Sequence, residues 1–256
     1  MKAGSGYILC ALLFLLCSCQ KELKNDNSTL KSNTVHIVFR PVVKGQPLLF
    51  NQPYTNAFGE DYTVTAFRFY ISALSLKNNN TGFPVTSEVK YRLADAAVGN
   101  TLSFAISPDQ NTFNGLSFQL GVDSIDNVSG AQGDDLDPAR GMFWTWNSGY
   151  IMAKLEGASS YSTVPNGNFT YHIGGFSGEN KTMRSISVSV PQGRQITLKD
   201  NRITTVFVNA DIDKWFDGAH ALSIASNAFV HSPGSLAASY ADNYAGMFSI
   251  ASITEE

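Results

Sequence analysis

Short runs in which apolar and polar residues alternate constrain this chain more than any other feature. Ser185-Ile186-Ser187-Val188-Ser189-Val190 and Thr204-Thr205-Val206-Phe207-Val208-Asn209 put every second side chain on one face, which is the period of a half-buried strand. Thr101-Leu102-Ser103-Phe104-Ala105-Ile106 and Leu116-Ser117-Phe118-Gln119-Leu120 alternate in the same way. Val35–Phe39 and Tyr62–Ile71 are rich in β-branched and aromatic residues. Turn-forming clusters separate these runs, at Asn78-Asn79-Asn80-Thr81-Gly82, Val164-Pro165-Asn166-Gly167 and Pro191-Gln192-Gly193. A helical period is confined to Ser235–Tyr244. The expectation is an all-β fold: an antiparallel sandwich or barrel with long loops and at most short helices. With 43% hydrophobic residues in 256, the chain can bury a sizeable core. No internal repeat or linker divides 34–256, so that stretch is read as one β domain.

The N-terminus is of another kind. Lys2 is followed by an uncharged run from Tyr7 to Leu16. A basic start, a short apolar stretch and small residues at its end describe a secretory signal, too short for a membrane span. Leu16-Cys17-Ser18-Cys19 resembles the end of a bacterial lipoprotein signal. Residues 1–18 are therefore read as the signal peptide and Cys19 as the lipidated residue. The polar stretch 19–33 is read as a flexible tether. Lys21-Glu22 resembles the charged export tag of surface lipoproteins of the Bacteroidetes type. These readings imply an outer-membrane lipoprotein, facing the periplasm or the outside, attached to the membrane by its lipid. Cys10, Cys17 and Cys19 are the only cysteines, so the domain has no disulfide, no thiol nucleophile and no thiolate metal site. A net charge of -3 with 15% charged residues leaves no basic footprint, and nucleic acid is not an expected partner.

Asp123 to Arg140 carries no strand pattern, and loops of that length in a compact domain are commonly functional. Asp123, Asp126, Asp134 and Asp137 are hard oxygen donors that a flexible loop can offer to Ca²⁺. Their spacing departs from the calcium loop D-x-[DN]-x-[DN]-G, and the weightier reading is that of turn-forming residues. Trp144 and Trp146 follow, two apart, on one side of any strand they occupy. Core packing is the commoner fate of Trp, and an aromatic ligand face is the functional alternative. H-E-x-x-H, G-x-S-x-G, the phosphate-binding loop and G-x-G-x-x-G are all absent. The histidines are His36, His172, His220 and His231, none close to another in sequence, so only the fold can assemble a metal site from them. No nucleophile–base set or carboxylate pair is defensible, and an enzyme is not expected. Asp211-Ile212-Asp213 is read as a cap.

The stretch Gly121-Val122-Asp123-Ser124, Ser129-Gly130-Ala131-Gln132, Leu136-Asp137-Pro138-Ala139, Gly141–Tyr150 and Lys154-Leu155-Glu156-Gly157 resembles the central block of the MbnP-like copper-binding family. Tyr171–Phe176 is similar to its following His-Ile/Leu-Gly element. Tyr54-Thr55-Asn56, Tyr62-Thr63-Val64 and Phe67–Ser72 resemble its N-terminal block, and Asp242–Phe248 its closing block. The likeness runs over about 35–250 and is nearest to the lipoprotein branch found in Bacteroidetes. It implies copper binding, as Cu(I), with His172 and His231 as candidate ligands. In that family a Trp is oxidised to kynurenine by a di-haem partner of the MauG type. Opening the indole ring yields an aniline nitrogen, a better donor, and imidazole suits copper. Trp144 and Trp146 are the candidates for that modification, with Trp215 as a further one. Some relatives carry a Cys after the His-Leu-Gly element, and this chain has none.

A surface module that binds glycan or protein without metal is the competing expectation. It needs Trp144 or Trp146 exposed as a flat platform, whereas copper needs His172 and His231 to converge.

Overall fold

Strands form where the alternation predicts them, and their inward positions are the apolar ones. The computed structural model describes Met1 and residues 34–78, 85–86, 89–144, 149–199 and 202–256. Apart from Met1, the stretches read as signal peptide and tether, with Cys19, lie outside the described residues, as does Trp146. The chain divides into Met1–Lys31 and Ser32–Glu256, and the architecture below is that of the second unit.

In chain order the main elements are β1 (Val35–Val43), β2 (Asp61–Lys77), β3 (Tyr91–Asp95), β4 (Ser103–Ile106) and β5 (Gly115–Leu120). There follow α1 (Ser124–Val128), β6 (Phe143–Trp144), β7 (Gly149–Ala158), β8 (Asn168–Gly174) and β9 (Arg184–Ser189). The chain closes with β10 (Thr204–Asp211), β11 (Phe229–Val230), α2 (Ser235–Ala245) and β12 (Phe248–Glu255). One sheet runs β12–β10–β1, with β4 and the short strand Gln46–Pro47 both paired to β1. The larger sheet runs β9–β5–β2–β7–β8–β11, with β3 on β2 and β6 on β7.

The fold is all-β with two short helices, as expected. It differs from a purely antiparallel arrangement in two ladders. β1 lies parallel to β10, Val35 opposite Thr204, and β8 lies parallel to β11, Tyr171 opposite Val230. Parallel neighbours need a long crossover; between β1 and β10 the chain builds all of the larger sheet except β11, a return invisible to local periodicity. Two boundaries also differ. Gly99–Leu102 is a 3-10 turn, so that strand starts at Ser103. The stretch 123–140 is broken into α1 and the 3-10 turns Asp134–Leu136 and Pro138–Arg140.

The sheets meet on phenylalanine. Phe39 of β1 stands edge-on to Phe69, Phe104, Phe118 and Phe248, with ring centroids 5.4–6.1 Å apart. Each such pair contributes about 0.5–1.5 kcal/mol beyond the area it buries. β2 curves across the larger sheet through a bulge at Ala73, whose φ of 49° lies where the register against β5 slips. A second aromatic cluster sits under α2, where Tyr240 and Tyr244 pack on Trp215 and Tyr240 also on Tyr171. Trp215 is completely buried there. It ends the turn Ile212–Trp215, which Asp211 caps by accepting the Asp213 N–H at 3.2 Å, as predicted.

Candidate metal centre

β8 carries Phe169, Tyr171 and Ile173 into the core. Alternation therefore sends Thr170, His172 and Gly174 to the opposite face. Register builds a row of charged and basic side chains along that face. Asp95 of β3 lies opposite Arg68 of β2, Arg68 opposite Lys154 of β7, and Lys154 opposite His172. Arg68 Nε is 2.8 Å from Asp95 Oδ2. Glu156, two positions beyond Lys154 and on the same face, has Oε1 2.6 Å from His172 Nε2 and 3.7 Å from Lys154 Nζ.

The segment 134–144 roofs this row. Arg68 Nη1 donates to the Arg140 carbonyl at 3.1 Å and Lys154 Nζ to the Gly141 carbonyl at 2.7 Å. Two cations thus hold the carbonyl end of the Pro138–Arg140 turn and fix where β6 begins. β6 in turn lays Trp144 over Gly174. A Cβ added at Gly174 would lie 2.6 Å from Trp144 Cζ3, so only glycine admits the ring. Trp144 is 2% exposed, and it covers the face of β8 that presents His172, roughly 7 Å along the strand.

His231 arrives from the other side. β11 pairs with Thr170 and Tyr171, which brings the residue after Val230 beside His172. The two imidazoles stack, centroids 3.9 Å apart and planes 13° from parallel. The outer face of His231 stacks on Phe229, at 4.1 Å and 26°. His231 Nε2 is buried and has no hydrogen-bond partner among the described residues.

The loop before β11 is held by a carboxylate in the interior. Glu60 is 3% exposed. Its Oε2 accepts the Ile224 N–H and the Asn56 amide, both at 2.7 Å, and its Oε1 accepts the Ala225 N–H at 2.9 Å. The Thr170 N–H then donates to the Ala228 carbonyl at 2.9 Å. The backbone that delivers His231 is tied at both ends of this loop.

Burial pushes His231 down to about 4, with repulsion from His172 adding to it. His172 is also lowered, by burial first, against the pull of Glu156. Hydrogen bonding to His172 keeps Glu156 below the usual carboxylate range, burial opposing. Burial likewise lowers Lys154, with the charge of Glu156 opposing. Both rings are harder to protonate in the fold than in the free chain, His231 the more so. Stability should accordingly fall as pH drops from 6.5 towards about 4, because the unfolded chain gains protons that the fold refuses. Chemical denaturation at pH values spanning this window should show a shallower fall in His231→Gln than in the wild type. Identical slopes would mean that His231 titrates like a free side chain.

The acidic loop does something else. Asp123 caps α1 by accepting the Asp126 N–H at 3.0 Å, and Asp137 caps the next turn through the Ala139 N–H at 2.8 Å. Asp126 accepts from the Tyr91 hydroxyl at 2.5 Å and pairs with Lys90 at 2.6 Å. Asp134 uses its carbonyl to hold Arg140 Nε at 2.8 Å. The Ca²⁺ expectation is unsupported: the carboxylates of Asp123, Asp126 and Asp137 serve separate caps and pairs. Among the described residues no group of three His, Cys, Asp or Glu is placed to hold a metal ion. The glycan platform also loses one of its two supports, because Trp144 is buried. His36 lies on β1, and His220 sits at the surface with Nε2 3.2 Å from Asp242. Neither joins the pair.

Glu156, Lys154, Arg68, Glu60 and Phe229 were not picked out as site residues from the sequence, although the first three fall in stretches that carry the family resemblance. Two of them had a signal. Charged residues at alternate positions 154 and 156 inside an otherwise apolar strand must find partners on one face.

A family model described as MbnP matches residues 32–233, a span that contains Trp144, His172 and His231 and stops short of α2 and β12. No curated protein matches the chain. Among solved structures, MbnP from Methylosinus trichosporium matches with a TM-score of 0.50 at 15% identity, over 79% of this chain and 82% of that one. At that identity the likeness is one of fold. With its family match extending over most of its length, the chain belongs to the MbnP family.

Proposed function

We propose that this chain is a lipid-anchored protein of the cell envelope that binds copper as Cu(I) and takes part in copper handling without catalysing a reaction. The convergence of His172 and His231 carries the reading. Two histidines distant in sequence come into ring contact, one with a buried nitrogen that nothing in the described protein satisfies. A buried polar atom without a partner is costly, and such an atom on an imidazole is a suitable donor for a soft ion. His172 and His231 would hold the ion. Bound copper would supply a site for storage or transfer of the metal.

Trp144 is the better placed candidate for oxidation to kynurenine, since it covers the same face of β8 as His172. Trp146, beyond the described residues, and Trp215, enclosed by tyrosines, are the other two. A di-haem protein of the MauG type is the proposed oxidant. Cys19 would carry the lipid that holds the domain at the outer membrane.

The test is metal content and peptide mapping of protein purified from its native host. The expected result is near-stoichiometric copper, with a gain of about 4 Da on the peptide holding Trp144 and Trp146 if either ring has been opened. Absence of copper, together with no uptake of Cu(I) under reducing conditions, would overturn the reading.

A further inference from the structure

We propose that Glu156 is the positioning residue of this centre: it fixes His172 as the Nε2–H tautomer, so that Nδ1 is the nitrogen offered to an ion. The inference rests on the copper reading above and deepens it. Glu156 Oε1 lies 2.6 Å from His172 Nε2, and Lys154 Nζ, 3.7 Å from the same oxygen, favours the ionised carboxylate. A carboxylate only accepts, so Nε2 must carry the hydrogen. A neutral imidazole has one N–H, and its lone pair is then at Nδ1. Both partners stand on neighbouring strands of one ladder, with Lys154 opposite His172 and Glu156 opposite Thr170. A site held by strands is more sharply placed than one held by loops.

The stack explains why a fixed partner is needed. Two nearly parallel rings 3.9 Å apart direct their in-plane lone pairs into separate planes. An ion at about 2 Å from each nitrogen cannot lie in both. One ring has to turn, and the contacts select His231. It follows a two-residue edge strand, its Nε2 has no hydrogen-bond partner among the described residues, and its outer neighbour Phe229 is 56% exposed. His172, held by Glu156, is the stationary ligand. A carboxylate that orients a ligating histidine typically changes metal affinity by about 10–100-fold.

The experiment uses the folded chain, first without metal. Long-range ¹⁵N–¹H correlation spectra of the wild type should show His172 with its hydrogen on Nε2. In Glu156→Leu the tautomers should become mixed, and Glu156→Gln, which keeps an acceptor oxygen, should lie between. Cu(I) is then titrated anaerobically against a competing Cu(I) chelator. Glu156→Leu should bind roughly 10–100-fold more weakly than the wild type, with Glu156→Gln intermediate. Circular dichroism identifies a variant that has failed to fold, in which case Glu156→Gln decides. A wild-type His172 with its hydrogen on Nδ1 would overturn the inference whatever the copper result. So would Cu(I) affinities equal in wild type and both variants. A wild type that takes up no Cu(I) would instead remove the copper reading, and this inference with it.

Discussion

Replacing His231 or His172 singly with Ala is expected to weaken Cu(I) binding by more than about 100-fold, beyond what loss of a merely orienting neighbour produces. The two side chains are the only imidazoles in mutual contact among the described residues, so neither has a substitute. Competition titration with a Cu(I) chelator gives the affinity. His220→Ala is the matched control. That ring is 44% exposed, pairs with Asp242 and belongs to a different part of the surface, so its loss should leave the affinity unchanged. Equal binding by wild type, His231→Ala and His172→Ala would place the copper elsewhere. His231→Ala should also keep the fold, since the side chain makes no hydrogen bond through Nε2 to any described residue and its neighbour Phe229 is already more than half exposed.

Glu60→Ala should be among the most damaging single changes for stability, at about 3–5 kcal/mol. The carboxylate accepts three N–H groups where water does not reach. Hydrogen bonds to a charged group are worth about 1.5–3 kcal/mol each, and donors left unsatisfied in the interior add their desolvation cost, less than additively. In a domain of this size that loss corresponds to a fall in Tm of roughly 10 °C. Glu60→Gln keeps one acceptor oxygen and should fall less. Cu(I) affinity should drop in Glu60→Ala as well, because the loop that delivers His231 loses its tie. A thermal melt of Glu60→Ala within about 2 °C of the wild type would mean that the loop is held by something else.

Local pattern carried the strands well because one buried face forces period-two alternation on each of them. It said nothing of β1 lying beside β10, since pairing between distant segments leaves no trace in either one. The site shows the same division. Chemistry and family likeness picked out His172 and His231, while their meeting depends on a two-residue strand too short to have a period. Glu156 was hidden for a different reason: its role comes from a diagonal across two strands. Glu60 was hidden because a carboxylate in a hairpin turn reads as solvent-facing until a loop from far along the chain closes over it. For the aspartates of 123–140 the weightier reading was already that of turn-forming residues. Short carboxylates satisfy orphan N–H groups at the start of helical turns, as those of Asp123 and Asp137 do.

The parallel alignment of β1 with β10 governs the order in which the molecule can be made. Val35 finds Thr204 as its neighbour, and β10 in turn needs β12 at the C-terminus. A chain emerging N-terminus first therefore holds its opening strand without its central partner until most of its length is available. Contacts so far apart in sequence slow the search for the native state, because the closure entropy comes before the reward. Refolding from denaturant should be slow for a domain of this length, and truncation before Thr204 should leave β1 as an open, hydrophobic strand edge prone to associate with other chains.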